Sequence, residues 1–161
     1  MSAYQEYDGI QFTDREALVE ALRSLEEGVG SQWTEDSIIV SKDGTQPLYG
    51  YRGDNRNTTY QKGHASHAPL AEICIPGSGH KGKLNVVGGA SNDIGFYRAD
   101  DGSLVPVVSN YDSSRYNECW MNGLKAKYLE VVITQKAKKQ GYKVNKKKVN
   151  GKMKMTLSRW R

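Results

Sequence analysis

At 161 residues, with 37% hydrophobic and 25% charged residues, the chain has the size of one globular domain and can bury a core without disulfides or metal. Two cysteines far apart, Cys74 and Cys119, exclude a disulfide-built secreted scaffold and point to reduced thiols. The start MSAYQEYDGIQFTD has no basic region followed by an apolar run, and no stretch reaches membrane-span length, so the expectation is a soluble intracellular protein.

Charge is unevenly placed. Residues 1–43 carry three Lys/Arg against ten Asp/Glu, whereas residues 136–161 carry eleven Lys/Arg and no acid. Such a chain either pairs its own ends, within one molecule or between copies, or offers its basic end to a polyanion.

In chain order, Tyr7 to Phe12 reads as a short strand. A helix follows, opened by the capping box Thr13-Asp14-Arg15-Glu16 and carried by the stripe Ala17, Leu18, Ala21, Leu22 and Leu25, with Gly28 as its stop. Ser37 to Val40 and Pro47 to Arg52 read as strands about the Lys42-Asp43-Gly44 turn. Residues 53–69 have no apolar period and form a long loop, a place to look for function. Leu70 to Ile75 is the best buried strand, and Leu84 to Val87 returns after a glycine-rich turn. Ile94 to Arg98 and Leu104 to Val108 form a hairpin about Asp100-Asp101-Gly102.

A second helix is expected from about Asn117 to Gln140, with Trp120, Leu124, Tyr128, Val131 and Gln135 on one face and Met121 and Val132 alongside. Gly141 ends it, and Lys136, Lys138 and Lys139 complement the dipole of its last turns. Asn150-Gly151 is then a strong two-residue hairpin signal, setting Lys148 opposite Met153, Lys146 opposite Met155, Val144 opposite Leu157 and Tyr142 opposite Arg159. The lysine-rich terminus is therefore expected to fold as a β-hairpin at 142–160, with its base on the domain and its tip in solvent.

The segments FTDREALVEALRSL, NDIGFYRADDGSLVPVVSNYD, AKKQGYKV and MTLSRW together resemble the hypothetical chloroplast reading frame thirty-five family, a domain of unknown function in plastids, cyanobacteria and other bacteria. The resemblance spans nearly the whole length, and DIGF at Asp93 to Phe96 is its most specific part. It implies a fold and a compartment, cytoplasm or plastid stroma, and brings no catalytic residues. The terminal lysines exceed the family's pattern, as in a divergent viral or phage member in a host cytoplasm.

Motifs with chemical meaning are few. Gly77-Ser78-Gly79-His80-Lys81-Gly82 matches a dinucleotide-binding pattern, yet no helix is expected after it to receive a pyrophosphate. Gly77, Gly79, His80, Lys81 and Gly82 remain as a candidate anion-binding loop. His64, His67, Cys74 and His80 are metal-ligand types at the wrong spacing, with Cys74 read as a small core residue, so no metal and no cofactor is expected. Asp100-Asp101 reads as turn residues, and no Ser or Cys sits on a nucleophile elbow.

The expectation is thus a single α+β domain, residues 1–161: a mainly antiparallel sheet of six to eight strands, two helices on one face, and a terminal hairpin. The leading functional expectation is a non-enzymatic accessory protein that binds nucleic acid through Lys143, Lys146, Lys147, Lys148, Lys152, Lys154, Arg159, Trp160 and Arg161. The alternatives are an assembly module that pairs acidic and basic ends of successive copies, an acidic protein surface then being the partner, and a nucleotide-type ligand binder using loops 53–69 and 76–83.

Overall fold

The computed structural model describes residues 2–7, 11–25 and 37–159. Its elements are β1 (Tyr4–Glu6), α1 (Arg15–Arg23), β2 (Ile39–Val40), β3 (Ile73–Ile75), β4 (Ile94–Arg98), β5 (Leu104–Ser109), a 3-10 turn (Asp112–Ser114), α2 (Glu118–Lys139), β6 (Tyr142–Val149) and β7 (Lys152–Arg159). This is the expected α+β class. A five-stranded antiparallel sheet has the order β1-β5-β4-β3-β2, and β6 and β7 form a separate two-stranded hairpin.

Strand alternation decides what each face holds. Ile73 and Ile75 of β3, Ile94 and Phe96 of β4, and Leu104 and Val108 of β5 pack with Leu18 and Leu22 of α1 and with Leu124, Tyr128 and Val131 of α2 in one core. Phe12 sits at its centre, edge-on to Tyr128 at 5.1 Å and to Phe96 at 6.1 Å between ring centroids. On the opposite face Cys74 and Val107 meet Leu48, Ala68 and Ala71. The irregular segment between β2 and β3 thus roofs the second face of the sheet.

Several expectations are corrected. The first strand is Tyr4–Glu6, not Tyr7 to Phe12: Tyr4 pairs with Ser109, and Phe12 makes one isolated bridge to Leu104. Residues 8–10, and the helix stop at Gly28, lie outside the described residues. The cap of α1 is Asp14, which accepts the Ala17 amide at 3.1 Å, rather than Thr13. Both residues can cap, but Tyr128 of α2 places its hydroxyl 3.1 Å from the Thr13 amide and 3.0 Å from that of Asp14, which turns Thr13 toward the other helix.

Pro47 to Arg52 and Leu84 to Val87 form no strands. The Leu48 carbonyl instead accepts the Arg56 amide and the Gly50 amide donates to the Asp54 carbonyl, a local turn that lays Leu48 on the sheet. Val86 and Val87 both donate to the Pro76 carbonyl, which folds the second segment onto the end of β3. Local closure takes backbone groups that a ladder needs, so the sheet has five strands rather than six to eight.

The second helix and the terminal hairpin agree with the sequence. Asn117 caps α2 by accepting the Trp120 amide at 3.0 Å. All four cross-strand pairs expected of the hairpin occur, Asn150 and Gly151 both taking positive φ, 51° and 75°, at the turn.

Candidate functional site

The hairpin has two unlike faces. Tyr142, Val144, Lys146 and Lys148 alternate onto one face with Met153, Met155, Leu157 and Arg159, and β6 lies against α2. Lys146 reaches Glu130 of α2 at 3.0 Å, and Lys127 approaches the same carboxylate at 3.6 Å. Burial disfavours the charge on Glu130, but the hydrogen bond from Lys146 and the charges of both lysines outweigh it and hold the carboxyl below its ordinary value.

The other face presents Lys143, Lys147, Lys152 and Lys154, all exposed. Lys147 and Lys154 stand directly opposite one another, and Lys143 pairs with Ser158. Among the described residues no acidic side chain pairs with these four lysines or with Lys148. Arg159 closes the base by stacking on Tyr142, its guanidinium carbon 5.4 Å from the ring centre. Trp160 and Arg161 lie outside the described residues.

The glycine-rich loop meets an anion from its own chain. The Gly77 amide donates to Asp93 Oδ1 at 2.8 Å, and His80 Nδ1 lies 2.6 Å from Asp93 Oδ2. Gly79 is required for close approach, because a Cβ there would fall on the Gly50 carbonyl oxygen. Lys81 and Gly82 remain at the exposed tip. His64 is spent locally, its ring stacked on Tyr60 and its Nδ1 accepting the Ser66 amide.

These contacts belong to a buried polar centre that sequence reasoning missed. Antiparallel pairing brings the C-termini of β3 and β5 and the N-termini of β1 and β4 to the same end of the sheet. Here Asp93 Oδ2 accepts the Tyr49 amide at 2.9 Å and lies 3.5 Å from the Cys74 thiol. Burial, then the Asp93 charge, push that thiol well above its ordinary pKa, so it is a donor and not a nucleophile.

Beside it, Asp112 Oδ2 accepts from the Ser109 hydroxyl at 2.6 Å and from the backbone and side-chain nitrogens of Asn92 at 3.1 Å. Arg56, fully buried, donates to Asn92 Oδ1 at 3.2 Å and to the Ser2 carbonyl at 3.1 Å, with its guanidinium over the rings of Tyr4 and Tyr60. Its Nε lies 2.9 Å from Asp54 Oδ2 without hydrogen-bond alignment, so attraction between the charges holds that pair. An open cleft of about 520 Å³, lined by Ser2, Tyr51, Ala90, Asn110 and Tyr111, lies at the same end.

The available signal was the placing of Asn92-Asp93 and Ser109 with Asp112 at the ends of the most apolar strands. Polar residues so placed must be paired across the fold. No family model, no curated protein and no solved structure matches the chain.

Proposed function

We propose that the chain is a non-enzymatic accessory protein that binds nucleic acid through the outer face of the β6–β7 hairpin. The observation that carries this reading is Lys147 directly opposite Lys154, with Lys143 and Lys152 on the same face and no acid on either strand. Residues directly opposite in a sheet have Cβ atoms about 5 Å apart, and like charges so placed destabilise the pair. A phosphate backbone lying across this face removes that cost and gains from released counterions. Arg159 on Tyr142 adds a cation beside an aromatic ring at the base.

The test is binding of labelled single-stranded and duplex DNA and RNA over a salt series. Lys143, Lys147, Lys152 and Lys154 are changed to Glu together, and Lys146, which holds the hairpin to α2, is kept. Affinity should fall steeply with salt in the parent, and the slope should shrink by roughly 0.7 to 0.9 for each phosphate contact removed. Equal binding by parent and variant would refute the reading.

A second reading, an assembly module, draws on Leu129 and Ile133, one turn apart on α2 and 45% and 44% exposed, and on Leu157 of β7, 46% exposed. Solution mass separates the two. A salt-stable oligomer dispersed by Leu129→Glu and Ile133→Glu, without a nucleic-acid load, would favour assembly.

A further inference from the structure

We propose that Cys74, His80 and Asp93 form a binding site for a zinc-class transition-metal ion, independent of the hairpin. Cys74 Sγ, a His80 ring nitrogen and an Asp93 carboxylate oxygen all lie within 4.8 Å of one another, and all three residues are buried or nearly so. They converge from β3, from the loop after it, and from the residue preceding β4. Their positions in sequence, 74, 80 and 93, match no compact metal motif, which is why spacing alone concealed the set.

The donor types decide the class of ion. Thiolate, imidazole and carboxylate together suit a borderline-soft ion such as Zn²⁺ and not Ca²⁺ or Mg²⁺, which take oxygen ligands. Three protein ligands leave one position for a solvent molecule, the arrangement of an open rather than a closed zinc site.

One of the three ligand separations already fits, a second must open, and the third, between Cys74 and His80, lies within 4.8 Å. Ligands about 2.0–2.3 Å from a tetrahedral zinc stand roughly 3.3–3.6 Å apart. Cys74 Sγ to Asp93 Oδ2, at 3.5 Å, already fits. His80 Nδ1 to Asp93 Oδ2 is shorter, 2.6 Å, because a proton is shared there. Binding replaces that proton and the thiol proton with the ion, and the nitrogen and oxygen then move apart by about 0.7 Å.

The surroundings support the ligands. Asp93 is oriented by the Gly77 and Tyr49 amides, at 2.8 and 2.9 Å, which fix the carboxylate as outer partners fix metal ligands elsewhere. The Tyr49 ring holds the His80 ring edge-on at 4.9 Å. Among the described residues no lysine or arginine contacts Asp93, since Arg56 is directed to Asn92, Ser2 and Asp54. Entry lies through the loop of His80, whose next residues, Lys81 and Gly82, are exposed.

The experiment uses the full chain carrying Cys119→Ser, which removes the exposed competing thiol, and adds Co²⁺ alone as a spectroscopic probe. A near-ultraviolet sulfur-to-cobalt charge-transfer band with visible d–d bands should appear, saturate at a single ion per chain, and be displaced by Zn²⁺. Cys74→Ser and His80→Gln, each in that background, should both lose the bands. Zn²⁺ should raise the melting temperature of the parent and not of His80→Gln, a readout that holds even if a variant is less stable. Absence of the bands and of the zinc-dependent shift overturns the proposal. So does binding that survives in either variant, because the ion then lies elsewhere.

Discussion

Lys146 projects from the middle of the most basic strand in the protein, yet its ammonium lies 3.0 Å from Glu130 of α2. One lysine of the basic run is thus committed to holding the hairpin against the body, while its neighbours Lys147 and Lys148 stay exposed. In sequence the three lysines are indistinguishable members of one basic run.

That pair has a measurable consequence. Lys146→Ala should lower stability by about 1 kcal/mol, because Glu130 is nearly buried while the lysine is about one-third exposed, and Lys127 still approaches the carboxylate. Lys147→Ala should change stability by less than about 0.5 kcal/mol, since its side chain is exposed. Urea titrations of the two variants check the difference.

The same carboxylate makes docking of the hairpin depend on pH. Glu130 has a folded-state pKa below its ordinary value of 4.5, so its contribution is complete above that value and is lost as pH falls through the lower folded one. Protection of the β6 amides, taken relative to their intrinsic exchange rates, should therefore fall below about pH 4.5 ahead of protection in β4, and Glu130→Gln should remove the acid-dependent component.

Arg56, a residue of the long loop, is fully buried and ties that loop to Asn92 and to the Ser2 carbonyl. Arg56→Met should cost about 3–5 kcal/mol, since Asn92 and Asp54 lose their cation in a buried site. Arg56→Lys should recover only part of this, because an ammonium cannot reach Asp54, Asn92 and Ser2 together. Thermal melts of the three proteins give the order.

The glycine loop gives a contrast between two sites. A Cβ at Gly79 meets the Gly50 carbonyl oxygen, and backbone must move, so Gly79→Ala should cost about 3 kcal/mol or more. At Gly82 nothing lies within 4 Å but φ is +77°, so Gly82→Ala should cost only about 1–2 kcal/mol of backbone strain. Chemical denaturation of both variants distinguishes close packing from conformational strain.

Thiol reactivity should divide sharply. Cys119 is exposed and Cys74 is buried with its thiol held protonated beside Asp93, so a thiol reagent should modify one cysteine in the native protein and both after denaturation. Rapid modification of Cys74 under native conditions would show that the polar centre opens readily.

Elements governed by near neighbours were legible in the sequence. The stripes of α1 and α2, the start of α2 near Asn117 and the Asn150-Gly151 turn with its full register depend on residues within a few positions of one another, and the structure has them. The α+β class followed from the same patterns. Charge segregation was equally plain, because it is a matter of counting.

What the tertiary structure alone decided is where polar groups find their partners. Thr13 does not cap because its hydroxyl faces that of Tyr128, 115 residues away, at 3.5 Å. Leu48 and Val86 left the strand pattern because closures within their own loops claimed the Leu48 carbonyl and the Val86 amide. Cys74, His80 and Asp93 became one cluster only when β3 and β4 paired antiparallel and brought one strand's end to the other's beginning. Local periodicity sets which face of an element is apolar, whereas buried hydrogen bonds and charges must be matched across the whole chain, and that matching exists only once the strands have met.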